Sequence, residues 1–308
     1  MRITTNLMSH NLLRSLEQAN SRMTLLQTQL STGRSLTKPS DDPVATETAL
    51  RMNNTIASME QWKKNASEAL SYLESTESIL SNMTAMLQRI RELTVQGATG
   101  SLSNNDRMQI AQEIDQLTMQ FQVLANSQVN TKYIFAGTKI DAPPVEAYTG
   151  TGTPPAITKW AGNDKVLEIE VGPNVTMPIA INGQQLFGIT FNSDGSANSS
   201  FFNMLHELST ALRNSDHEAI NASLDKIDIE IDNFLELRSQ LGARTNRMRT
   251  IYDQLDNSII NLKQTLSQIQ DVDMAAAIME FNSVQNTFRA ALSVGAQIIQ
   301  PSLVDFIR

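Results

Sequence analysis

The chain of 308 residues contains no cysteine, which excludes disulfides, thiolate catalysis and cysteine-based zinc sites. Aromatic residues make up only 5% of it, and there are three histidines. His206 and His217, eleven residues apart, would lie about 16 Å from each other on a continuous helix, too far to share an ion, and His10 stands alone. Nucleophile-elbow, Walker, His-Glu-x-x-His and dinucleotide-binding glycine motifs are all missing. No enzyme, cofactor or metal is therefore expected. Long apolar runs are absent too, so no helix is expected to span a membrane. The opening "MRITTNLMSHNLLRSLEQ" has one early arginine but neither a continuous apolar core nor a small-residue cleavage site, so no cleaved secretory signal is expected. Positive charge is scarce as well. A net charge of −8 disfavours a broad phosphate-binding face, and the one local cluster, Arg244, Arg247 and Arg249, reads as a solvated helix face.

What the chain has is periodicity. Leu12, Leu16, Ala19, Met23, Leu26 and Leu30 step by alternating fours and threes. Ala45, Met52, Met59, Ala66, Leu73, Leu80 and Leu87 follow at intervals of seven, with Ala49, Ile56 and Leu70 supplying the other half of the seam. Ile110, Ile114, Leu117, Phe121 and Leu124 form a third stripe. The longest register runs from Ile220 through Ile227, Phe234, Leu241, Met248 and Leu255 to Ala276, interrupted only by Arg238, Thr245 and Asp273. Such a repeat predicts helices in coiled-coil packing, and segments 44–98 and 217–270 would each be on the order of 80 Å long. Within "DKIDIEID" (225–232) the heptad phase favours helix over strand and leaves Ile229 exposed. Between Gly137 and Ser200, by contrast, stand six of the nine prolines. There "KVLEIEV" (165–171) and "VTMPIAI" (175–181) alternate around "GPN", which is strand-and-turn patterning, and "GTGTPP" (150–155) reads as a loop.

The predicted fold class is mainly α. The N- and C-terminal parts form a long antiparallel helical rod with coiled-coil packing, and a small β-rich insertion sits in the middle, at the rod's far end. The expected division is 1–42 and 271–308 as terminal helices, 43–137 and 201–270 as the rod, and 138–200 as the insertion.

Two breaks interrupt the pattern. In "LSTGRSLTKPSDDPVATETA" (30–49), Gly33 suits a left-handed helix end. Ser40, Asp41 or Asp42 supplies the next N-cap, with Pro43 in the first helical position. Capping is the simpler reading of the Asp41–Asp42 pair than paired catalytic carboxylates. The second break, "QDVDMAA" (270–276), carries Asp271 and Asp273, which read as a helix restart rather than a calcium loop, because no EF-hand spacing follows. Beyond it a new stripe begins at Ile278, Phe281, Phe288, Leu292 and Ile299, and continues to Leu303 and Phe306.

The outer segments 6–30 and 277–307 are rich in Asn, Gln, Ser and Thr. Helices of this length with narrow stripes are marginal alone. They are expected to remain largely unordered in a free subunit and to be completed by neighbouring copies. The assembly interface would comprise Leu12, Leu16, Met23, Leu26, Leu30, Ile278, Phe281, Phe288, Leu292, Ile299, Leu303 and Phe306. A plain intramolecular hairpin is the alternative use of the same stripes.

The stretches "LSTGRSLTKPSDDP" and "DVDMAAAI", set within coiled outer helices, resemble the flagellin superfamily of bacterial flagellar axial proteins. Within it, the opening "MRITTNLMSHNLLRSL", the stretch "KYIFAGTKIDAPP" (132–144) and the ending "GAQIIQPSLVDFIR" set the chain apart from filament-forming flagellins. The resemblance implies an extracellular structural subunit, exported unfolded by the flagellar type III pathway and located between hook and filament. Its implied partners are further copies of itself in a ring, a hook-associated protein on the hook side, flagellin on the filament side, and an export chaperone on the C-terminal helix. Neither nucleic acid nor membrane is implied. A filament-forming flagellin is the nearest alternative, and a cytosolic coiled-coil scaffold is an alternative of another class.

Overall fold

A computed structural model describes residues 2–146, 159–191 and 197–299. In chain order the elements are α1 (Arg2–Thr32), α2 (Pro43–Ala98), α3 (Asn104–Ala125), β1 (Gln128–Val129), β2 (Lys132–Tyr133), β3 (Glu168–Gly172) and β4 (Val175–Pro178). There follow α4 (Gly183–Leu186), β5 (Ile189–Phe191), β6 (Ala197–Ser199), α5 (Ser200–Asn214), α6 (His217–Gln270) and α7 (Met274–Ile299). The chain is mainly α, with small two-stranded hairpins between α3 and α5. It divides into two compact units, residues 1–59 with 257–308 and residues 60–256. These boundaries fall inside α2 and α6, not at the breaks near 33–42 and 271–273, because they follow packing rather than helix ends.

The central unit, 60–256, is a helical bundle built on the heptads. Ala66, Leu73, Leu80 and Leu87 of α2 are fully buried, as are Ile220, Ile227, Phe234 and Met248 of α6. Ion pairs fix the direction of packing. Arg91 pairs with Asp228 (2.5 Å), Glu77 with Arg238 (2.8 Å) and Lys63 with Asp256 (2.5 Å). Partners therefore climb α6 as they descend α2, which is antiparallel pairing. The polar interruptions are satisfied locally: Arg238 reaches Glu77, and the Thr245 hydroxyl donates to the Leu241 carbonyl four residues back. Buried Thr76, Thr84 and Thr94 do the same toward Tyr72, Leu80 and Ile90, so their hydroxyls leave no unpaired donor in the core. Ile229 is exposed, as the heptad phase predicts.

Two turns close one end of this unit. Ser103 caps α3 in a reciprocal capping box with Asp106, and Asp216 accepts from the Glu218 and Ala219 amides at the start of α6. Buried Arg107 donates to the Gly97 and Thr99 carbonyls, which closes the C-terminal end of α2. The expected position of the β-rich insertion at the far end is thus corrected, since helix-to-helix turns occupy that end. The reason is length: α3 and α5 are too short to cover α2 and α6 within the unit, and the β segments cover the remaining apolar face. Tyr72 donates to the Ile134 carbonyl, Asn65 to Glu170 and Arg244 to Ala180. Phe135, Phe187 and Phe201 join the β segments and the helices in one core.

The hairpin β3–β4 forms where alternation predicts it, turning at Asn174 with φ +58°. Helix α3 ends at Ala125, however, and the first strand begins at Gln128, ten residues before the expected boundary at 138. "GTGTPP" lies outside the described residues.

Candidate assembly surface

The terminal unit is organised by the two breaks. At the first, Thr32 ends α1 and Gly33 adopts φ +72°, where its amide donates to the Gln29 carbonyl at 2.8 Å. A side chain at this φ would be strained, so glycine stops the helix cleanly. Asp42 is the N-cap of α2: its Oδ1 accepts from the Val44 and Ala45 amides, both at 3.0 Å, with Pro43 in the first helical position. Asp41 has a different task. Its Oδ2 accepts from the Lys38 amide (2.9 Å), the Thr37 hydroxyl (2.9 Å) and the Thr37 amide (3.2 Å), bracing the preceding turn. These bonds, the one from the Lys38 amide foremost, hold its carboxyl below the usual carboxylate range. Ser40, the other cap candidate, is exposed, and the cap position belongs to Asp42.

At the second break, Asp273 caps α7, accepting from the Ala275 (3.0 Å) and Ala276 (3.1 Å) amides. The helix restart is therefore confirmed. The two breaks also join. Ser35 donates its amide to the Gln270 carbonyl (2.8 Å), Val272 donates to Gly33 (3.0 Å), and Arg34 bridges Asp271 in antiparallel fashion.

From this clasp α1 and α7 run antiparallel. Arg22 pairs with Glu280 near the break (2.6 Å), and Leu12 meets Gly295 farther out. The inward stripe of α1 is the expected one: Leu12, Leu16, Ala19, Met23 and Leu30 are half-buried, and Leu26 is buried. The stripe of α7 is Ala277, Phe281, Val284, Phe288, Ala291 and Gly295. Phe281 and Phe288 belong to it as expected. Ile278 and Leu292 do not; they are about half exposed, on the flank of the pair. The shift arises because α7 restarts from its own cap, and because small residues fill the seam where α1 approaches closely. A Cβ on Gly295 would stand 2.6 Å from Leu12 Cδ2. The missed signal was present in the sequence: residues 277 to 295 repeat the four-three spacing of α1, provided alanine and glycine are counted as seam residues. Of Ile299 only its place in the last turn of α7 is described, and Leu303 and Phe306 lie outside the described residues.

The pair covers only part of its own apolar surface. Among the described residues, eleven of the eighteen large apolar side chains left exposed belong to the terminal unit, against five of the forty-seven buried apolar ones. Leu7, Met8 and Leu13 on α1 and Ile278, Met279 and Leu292 on α7 lie open. Charge is thin here, and among the described residues no group of three His, Asp or Glu side chains is placed to hold a metal ion.

The sequence matches the family model of the bacterial flagellin N-terminal helical region over residues 3–140, and that of the bacterial flagellin C-terminal helical region over residues 224–307. It is 29% identical to flagellar hook-associated protein 3 of Salmonella typhimurium, covering 94% of this chain and 95% of that one. It is 31% identical to flagellin of Bacillus subtilis, covering 97% of each. Among solved structures it resembles flagellar hook-associated protein 3 of Legionella pneumophila, with a TM-score of 0.61 at 20% identity, over 71% of this chain and 98% of that one.

Proposed function

This chain belongs to the bacterial flagellin family and is a structural component of the flagellum, not an enzyme; from that premise we propose that it forms the short junction between hook and filament. The observation that carries a polymerising role is the burial imbalance: among the described residues, the terminal unit holds most of the open large apolar side chains and few of the buried ones. Lateral copies in a ring would cover them. Expected neighbours are a hook-associated protein on the hook side and flagellin on the filament side. Before assembly the subunit would pass unfolded through the type III export channel to the cell exterior, with a chaperone on its C-terminal helix. The ending "GAQIIQPSLVDFIR" and the hook-associated relatives support the junction reading. The Bacillus flagellin, equally well covered, supports a filament-forming subunit as the second reading. A cytosolic scaffold is removed by the family assignment.

Polymer length separates the two. Purified chain added to isolated hooks that carry the first junction protein should form a short cap that stops, on which added flagellin then grows. Long filaments of this chain alone would instead establish the filament reading. A strain lacking the gene should retain intact hooks and release filament protein into the medium.

A further inference from the structure

We propose that Met8, Met274 and Met279 are oxidation sites through which a hydroperoxide blocks assembly of the free subunit, an inference that rests on the assembly reading above. All three thioethers are accessible, at 59%, 45% and 68% exposure. Each sits among the open apolar side chains of the α1–α7 pair: Met8 beside Leu7, Met274 one turn before Ile278, and Met279 next to Ile278. With no cysteine in the chain, no thiol competes for the oxidant.

The step is balanced. A sulfur lone pair attacks one peroxide oxygen, the O–O bond breaks, an S–O bond forms, and water leaves from hydrogen peroxide or the alcohol from an alkyl hydroperoxide. Sulfur loses two electrons and the peroxide gains them. The product is a sulfoxide, polar where the neighbouring copy needs an apolar contact, so covering it would strand a strong acceptor away from water. Oxidation acts before assembly, because lateral packing would shield the same atoms. Met83, Met177, Met204 and Met248 are internal controls, being buried in the central unit. Met108 is a second kind of control: it is exposed, but belongs to the central unit.

Full-length protein treated with dilute hydrogen peroxide, mapped by peptide mass spectrometry and then added to hooks tests the inference. Sulfoxide should form at Met8, Met274 and Met279 ahead of the four buried methionines. Assembly should fall by about tenfold or more, the factor that corresponds to losing the burial of one such side chain. The triple variant Met8→Leu, Met274→Leu, Met279→Leu should assemble with or without peroxide. Met108→Leu should stay as sensitive as the parent chain, and a methionine sulfoxide reductase should restore assembly of the oxidised parent. Undiminished assembly of a chain shown to carry all three sulfoxides would overturn the inference and leave the assembly reading standing, as would equal sensitivity of the triple variant. Failure of the untreated parent to assemble at all would overturn both.

Discussion

Asp42 and Asp273 perform one chemical task at two points, each taking two amide hydrogens at the start of a helix. Replacing either with alanine leaves those donors without a side-chain partner and should cost about 1 kcal/mol, read as a lowered thermal midpoint. An unchanged midpoint would show that water serves the helix end equally well. Asp41, one position before a cap, works on the turn instead. Its carboxyl is held below the usual range, so its contribution is complete at pH values above that range and is lost as acid brings the pH down through the lowered value. The Thr37 and Lys38 amides should therefore show acid-dependent shifts in an NMR titration, and flat profiles would contradict the assignment. The need for a side-chain cap before Pro43 was legible in the sequence. Its allocation among Ser40, Asp41 and Asp42 was not, because all three side chains are competent and only the backbone path decides which one faces the helix end.

At the scale of elements, long heptad runs proved the most legible feature. Period-seven burial along α2 and α6 depends on large side chains repeating many times, and single polar residues within it are absorbed by ion pairs or by bonds to the preceding turn. The stripe of α7 departs from the expected one because it is short, restarts from its own cap and uses alanine and glycine to admit α1 closely. The β region starts earlier than expected for a related reason: Ile134 and Phe135 are apolar enough to continue a helix, yet they enter the bundle core in the bend that follows β2. The corrected seam separates two kinds of mutation. Leu26, 1% exposed, lies in the seam, and Leu26→Ala should destabilise the terminal pair by about 2–4 kcal/mol once it is ordered by assembly, read as a lowered thermal midpoint of the assembled chain. Leu292, 48% exposed, lies on the flank, so Leu292→Asp should leave helix content and melting almost unchanged while abolishing assembly on hooks. If Leu292→Asp instead removes most of the helix signal, the residue belongs to the folding core.

At the scale of the whole molecule, the two units differ in how far they complete themselves. Among the described residues, the central unit buries aromatic and aliphatic side chains from helices α2 to α6 and from the hairpins β3–β4 and β5–β6 in one core. Among the described residues, the terminal unit buries five apolar side chains and leaves eleven large ones open, which fits an element stabilised chiefly by packing against other copies. Hydrogen exchange on the full-length chain, alone in dilute solution and then assembled on hooks, tests this most directly. The account predicts slow exchange at residues 73–90 in both states. It predicts rapid exchange across 7–30 and 277–296 in the isolated chain, with strong protection appearing there only on assembly. Terminal helices as protected in the solitary chain as residues 73–90, with nothing gained on assembly, would contradict it.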